Sequence, residues 1–366
     1  MAQNRSLVPE PSDFDREQRL IEIRRQAERS GEIKAPGVRP SGAPFPVASP
    51  ETGYYKIPLL KEPPWKPEIP LYFFVGGAAG AAAVVGAIAR YTGADRELVR
   101  HARWIAAAGS VIAPPLLIAD LGRPARFLNM LRVFKPQSPM SVGVWTLLGF
   151  SAGAAASTFA DLVSERFGPS LPLSILENAG DAASLAFGLP FSNYTGVLIG
   201  ATAIPVWNRN VGDLPIHFAA SGLSAAVGML ELMGHEKSRA LGALGLGAAL
   251  FETWEGVRIE TRSHSHLDPL KHGRSGWLTR AGGVLSGPIP LALRLLSAFG
   301  GNGRALRRWA GMSAIAGSLI TRVAWMQAGQ ASARNWRLPL EIEENAEGAG
   351  AKSEPIGADT GESAIA

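Results

Sequence analysis

From Ile69 onward, apolar residues run on for about twenty positions at a time, and short charged connections separate the runs. A helix of roughly 20 such residues crosses the hydrocarbon core of a bilayer, so each run predicts one transmembrane helix. Eight runs are readable, at 69–89, 104–121, 142–163, 182–207, 214–234, 240–257, 281–297 and 306–328. The predicted fold is therefore all-α, a polytopic transmembrane helix bundle of about eight spans, with a range of six to eight. The fourth run is interrupted by Pro190. The seventh is short and carries Pro288 and Pro290, which predicts a kinked or re-entrant helix. Gly76 and Gly80 lie four apart on one helical face and predict close backbone packing of the first run. Gly149 with Gly153 and Gly196 with Gly200 repeat that spacing, where the general Gly and Ala richness of membrane helices is an equal reading.

The polar ends divide the chain into three parts: a Pro-rich extension (1–68), the helical bundle (69–328) and an acidic, Gly/Ala-rich tail (329–366) expected to be largely disordered. Within the extension, 13–29 has a weak helical pattern through Leu20, Ile21 and Ile23 and predicts a short surface helix. No apolar core precedes Leu71, so no cleavable signal is expected and the first span acts as the insertion signal. The net charge of +5 changes this picture little. Lys and Arg cluster in the connections, where membrane lipid headgroups attract them, and no basic, aromatic-interleaved domain points to nucleic acid. The connections 122–136 and 258–280 are somewhat richer in Lys and Arg than 90–103 and 303–308. This predicts a multi-pass protein of the cell inner (cytoplasmic) membrane with both termini in the cytoplasm.

The chain has no cysteine, so it builds neither a thiolate metal site nor an iron–sulfur cluster by itself. Electron chemistry would need cofactors held elsewhere or a diffusible carrier. Two hemes with paired His ligation need four intramembrane histidines. Here His217 and His235 lie clearly in a span and His101 at a boundary. His217 and His235 are about 27 Å apart along one helix and cannot share a heme, so heme is disfavoured. The set His264, His266, Asp268 and His272 sits in a polar connection and reads as a solvated loop, so no metal site is predicted.

Ionisable groups inside spans are costly and face the bundle interior. Asp161, Asp181, Glu231, Glu252, Glu255 and Arg322 are of this kind. Glu231, Glu252, Glu255 and Arg322 are candidates for a proton path, with Glu252 and Glu255 sharing a helical face. Helix-to-helix pairing, for instance with Arg322, is the competing reading. Asp120 closes the second run, and Arg123, Arg126 and Arg132 follow in a proline-bounded loop, a ready ion-pair network.

That loop also carries a resemblance. DLGRPARF followed by FKPQSPMSVGVW is similar to the signature of the NrfD family, the membrane subunits of polysulfide reductases and related molybdoenzymes. WKPEIPLYFFVGGAAGA from Trp65, SNYTGVLIGATAIPVWN at 192–208 and RVAWMQAGQASA at 322–333 resemble further family segments, in the expected order over 65–333. The resemblance implies a quinone-reactive, heme-free subunit that docks an iron–sulfur (ferredoxin-like) subunit, which in turn serves a molybdopterin oxidoreductase catalytic subunit. The exchangeable cofactor would be menaquinone or ubiquinone. Such a chain has quinone redox activity but does not hold the complex's catalytic centre. Quinone carbonyls need hydrogen-bonding partners and a proton route. Tyr72 and Tyr194 offer phenols, His217 exchanges protons near neutral pH, and Asp120 with Arg123 is expected to border the pocket as an interfacial pair. Some relatives place a His in the first helix, where this chain reads GGAAGA. Two other functions fit the same spans: an ion-coupled secondary transporter, which broken helices and buried acids would suit although no inverted repeat is apparent, and a passive anchor for soluble redox subunits.

Overall fold

The computed structural model describes residues 58–121, 124–299 and 303–340, together with Gln18, Ile21, Glu22, Arg25, Gln26 and Arg29. The chain divides into two units, residues 1–49 and 50–366. In the first, the six described residues are helical and exposed, within the stretch expected to form a surface helix. In the second, every regular element among the described residues is a helix.

Its long helices are α1 (Glu68–Tyr91), α2 (Arg96–Asp120), α3 (Pro139–Phe167), α4 (Leu171–Gly200), α5 (Leu214–Leu230, continued by a π-helical turn Glu231–His235), α6 (Arg239–Thr261), α7 (Gly273–Ser286), α8 (Pro288–Phe299) and α9 (Gly303–Arg334). Six stretches are long and apolar enough to cross a membrane: α1 to α4, α5 with its π turn, and α7 with α8 as one span. The helices α6 and α9, with 23 and 32 residues, are also long enough, at about 35 and 48 Å, but carry more charge. The chain is thus a multi-pass membrane protein within the expected range of spans.

Local chemistry explains the boundaries. Asp95 caps α2, Ser138 caps α3 and Ser238 caps α6, each side chain accepting a backbone N–H of the first turn. After α1 the chain turns at Gly93, with φ +72°, where glycine carries no Cβ penalty. The seventh run is kinked, as expected. It breaks at Gly287, because Pro288 has no N–H to continue the ladder. Pro190 behaves differently: α4 runs straight through it, and the interruption in the fourth run falls at 201–204. Neighbouring helices support a proline inside a membrane helix. Two helices begin well before their apolar runs, α2 at Arg96 and α4 at Leu171. Their extra turns are charged, and a hydropathy pattern cannot see that those charges pair with one another.

Consecutive long helices alternate in direction, with α7 and α8 counting as one span. One end of the bundle, called here the terminal end, carries Glu68, Asp120, Leu214 and Arg334. The far end carries Tyr91, Arg96, His235 and Arg239. Aromatic rings fill the interior on the terminal side. Phe150 stacks on Phe191 at 4.9 Å, Phe73 approaches Phe218 at 6.3 Å, and Trp65 stacks on the buried Trp207 at 5.4 Å.

The small-residue spacing of the first run has the predicted effect. Gly80 lies so close to α4 that a Cβ there would come within 2.6 Å of the Gly188 carbonyl oxygen and 2.9 Å of the Ser192 nitrogen. Both are backbone atoms and cannot rotate away. Gly80→Ala is therefore expected to lower the melting temperature of the detergent-solubilised chain, by overpacking worth about 1–3 kcal/mol. Gly247→Ala, whose Cβ meets open space, should leave it unchanged.

Candidate functional site

Three helices bring their costliest side chains to one place. His217 lies in the first turn of α5, Glu252 in the middle of α6 and Arg322 past the middle of α9, and all three are buried. His217 Nδ1 is 3.9 Å from Glu252 Oε1. The other carboxylate oxygen, Oε2, accepts a 2.8 Å hydrogen bond from Ser286 Oγ at the end of α7. Arg322 Nη2 donates to the Phe218 carbonyl at 2.8 Å, and its guanidinium lies 4.2 Å over the Phe218 ring. A cation on an aromatic face away from water gains about 2 kcal/mol. Gly77 makes room for it, since a Cβ there would be 3.2 Å from Arg322 Nη2.

Both His217 ring nitrogens, Glu252 Oε1, and Arg322 Nε and Nη1 are buried without a hydrogen-bond partner among the described residues. A buried polar atom left unpaired costs about 1–3 kcal/mol. Five of them on three neighbouring side chains therefore mark a place suited to binding polar atoms or passing protons. Donors and an acceptor are both present: Arg322 only donates, Glu252 Oε1 accepts when ionised, and imidazole does either. Of the three, Glu252 also lines a cavity of about 270 Å³ between α6 and the α7–α8 kink, walled further by Thr253, Gly256, Val257, Val284 and Pro288.

Other predicted site residues lie elsewhere. Tyr72 is buried on α1, its ring against Phe73 and Phe191. The Tyr194 hydroxyl donates to the Pro139 carbonyl, with Gly143 beneath the ring. Asp120 Oδ1 accepts a long 3.4 Å bond from the Lys66 backbone N–H. Arg123 lies outside the described residues. Arg322 ion-pairs with neither glutamate among the described residues. Instead Glu255 binds Arg258 at 2.6 Å, and Arg258 also holds Asp213 at 2.8 Å on the terminal end. The Arg258 hydrogen bond holds the Asp213 carboxyl below the usual carboxylate range. Glu231 lies at the far end, bonded to Arg294 at 2.6 Å and Arg307 at 2.7 Å. In the connection after α6, the His264 and His266 rings stack at 5.3 Å, and burial and then His264 push His266 below its ordinary value. No group of three or more His, Asp or Glu is placed to hold a metal among the described residues.

Two far-end arrangements were not foreseen. His101 Nδ1 and His235 Nε2 are 2.7 Å apart and tie α2 to α5. Arg103 pairs with Asp181 and, at 2.8 Å, with Glu177; Arg100 pairs with Asp161 at 3.1 Å; Arg90 also reaches Glu177. A signal for the second was present. Arg96, Arg100 and Arg103 recur at helical spacing, as do Asp161 with Glu165 and Glu177 with Asp181.

Residues 60–235 match the family model described as polysulphide reductase, NrfD. His217 lies inside the matched stretch, Glu252 and Arg322 beyond it. No curated protein shows a significant match to the chain.

Proposed function

Residues 60–235 match the NrfD family, membrane subunits of redox complexes, and from that match we propose that the chain is a member which exchanges electrons between an iron–sulfur partner and the quinone pool of the membrane. The observation that carries this reading is the buried cluster of His217, Glu252 and Arg322 with its five unpaired polar atoms, whose Glu252 also lines a cavity of about 270 Å³. A quinone presents two carbonyl acceptors on an apolar ring and, when reduced, two hydroxyl donors. Arg322 and His217 supply donors for the carbonyl form, and Glu252 supplies an acceptor for a hydroxyl proton. The cavity lies next to the kink of the seventh span, and its walls Val257, Val284 and Pro288 suit an apolar ring.

In this proposal the oxidation of one quinol sends two electrons to the partner's clusters and two protons into the protein, the first of them to Glu252. Glu255 and Arg258 continue the polar route toward Asp213 at the terminal end. Tyr72 packs with Phe73 and Phe191, Tyr194 ties α4 to the start of α3, and Asp120 closes α2 at the terminal end. The quinone is menaquinone or ubiquinone, the electrons pass through a ferredoxin-like subunit to a molybdopterin oxidoreductase, and both termini face the cytoplasm of the inner membrane.

The test is quinone-linked turnover by the purified assembly, measured with short-chain quinols. The expected result is turnover that requires this chain. Co-purification of intact redox subunits with no quinone turnover would leave a passive anchor. Ion uptake by proteoliposomes holding this chain alone, independent of any redox partner, would favour the transporter.

A further inference from the structure

The far end of the bundle holds a second cavity, independent of the redox reading. A cavity of about 380 Å³ lies between α6, α8 and α9, with Arg294, Arg304 and Arg307 among its walls and Glu236 as the acid on its rim. Beneath it the fully buried Glu231 binds two guanidiniums through one oxygen. Arg294 Nη1 donates to Oε1 at 2.6 Å, and Arg307 Nε and Nη2 at 3.0 and 2.7 Å. With Arg304 and Glu236 counted as well, three cations face two carboxylates, a surplus of one positive charge. Arg294 is 5% exposed, and its Nε and Nη2 have no partner among the described residues. Nearby Lys237, Arg239 and Arg308 add positive charge to this end.

The backbone is built around these arginines. Gly242 and Gly245 stand three apart on one face of α6. A Cβ at Gly242 would be 3.0 Å from Arg307 Nη2, and one at Gly245 would overlap the Arg294 guanidinium. Below the charges the walls turn apolar through Leu246, Leu295 and Ala298. Leu295 is 45% exposed, and Phe299 at the end of α8 is 89% exposed. Such a surface faces acyl chains in a bilayer. Guanidiniums recognise phosphate oxygens, and basic pockets between membrane helices bind anionic headgroups.

We propose that this cavity binds the phosphate of an anionic phospholipid, the headgroup on Arg304 and Arg307 over the buried Arg294 charge and the acyl chains along Leu246, Leu295 and Ala298. A free phosphate ion shares the headgroup chemistry but would leave the apolar wall unused.

The full-length chain, delipidated in detergent, is titrated separately with phosphatidylglycerol, phosphatidylcholine and sodium phosphate, with melting temperature and native mass spectrometry as readouts. Phosphatidylglycerol is expected to raise the melting temperature and to remain bound as a mass adduct, and neither phosphatidylcholine nor phosphate alone does so. Arg304→Gln, an exposed change outside the Glu231 pairs, should weaken phosphatidylglycerol binding about fivefold, the effect of one surface cation near a headgroup. Gly242→Leu, which fills the cavity from α6, should abolish it. Should Gly242→Leu fail to fold, Arg304→Gln still decides. Equal protection by phosphatidylcholine, full protection by phosphate alone, or unchanged affinity in Arg304→Gln would each overturn the assignment.

Discussion

Glu252→Gln is expected to lower quinone-linked turnover per assembled complex by about 100-fold or more, the lower end of what a positioned acid or base contributes, while the complex still assembles. Glutamine keeps the shape of the side chain and still accepts the Ser286 hydroxyl, which reaches Glu252 Oε2 at 2.8 Å. What it loses is the ability of the second oxygen to take up a proton beside His217 and Arg322. A purely architectural Glu252 would tolerate this near-isosteric change, and turnover would then stay normal once corrected for the amount of complex. Steady-state quinol oxidation, with the partner's clusters counted by their spectroscopic signal, separates the two outcomes. Normal turnover in Glu252→Gln would remove this cluster from the quinone reaction and leave the match of residues 60–235 to the NrfD family model untouched.

The second large effect is on stability. Glu231 is fully buried between Arg294 and Arg307. Glu231→Gln removes the carboxylate that, among the described residues, those two guanidiniums share, and leaves their charges in a low-dielectric interior. Breaking a buried pair from one side costs about 3–5 kcal/mol, a large part of the 5–15 kcal/mol that holds a typical protein folded. The expected result is a sharp fall in melting temperature and in the amount of chain recovered from membranes. Adding Arg294→Met should restore part of the loss, because one of the stranded charges is then gone; residues in direct contact couple in this way. A Glu231→Gln chain as stable as the parent would show that the buried pairs carry no net stabilisation. Retained stability with impaired quinone turnover would return Glu231 to the proton path proposed from its type and position.

Most of the fold was legible in the chain. A span is a property of about twenty consecutive residues, and so is its kink. Pro288 acts on its own ladder of hydrogen bonds, and the seventh run breaks beside it, at Gly287. The close approach at Gly80 was legible for the same reason, since a missing Cβ matters to whatever helix lies opposite. Pro190 shows the limit: its local effect was overridden by the helices packed around α4. For the site, residue chemistry singled out His217, Glu252 and Arg322 one by one, because an ionisable group in hydrocarbon is costly wherever it points.

Their meeting was not legible. His217 and Glu252 belong to different helices, and each could have turned toward another neighbour. Only the packing of α5, α6 and α9 places them 3.9 Å apart with Arg322 beside them. Likewise His101 meets His235 across 134 positions, and Glu231 meets Arg294 across 63. The amino-acid sequence by itself determined that this chain enters a bilayer as a set of helices, where they begin and end to within a few turns, and which side chains would be costly to leave unpaired there. The tertiary structure alone decided which of those side chains face each other, because a contact between two helices depends on their rotation and depth in the bundle, and the packing of all the helices together sets both.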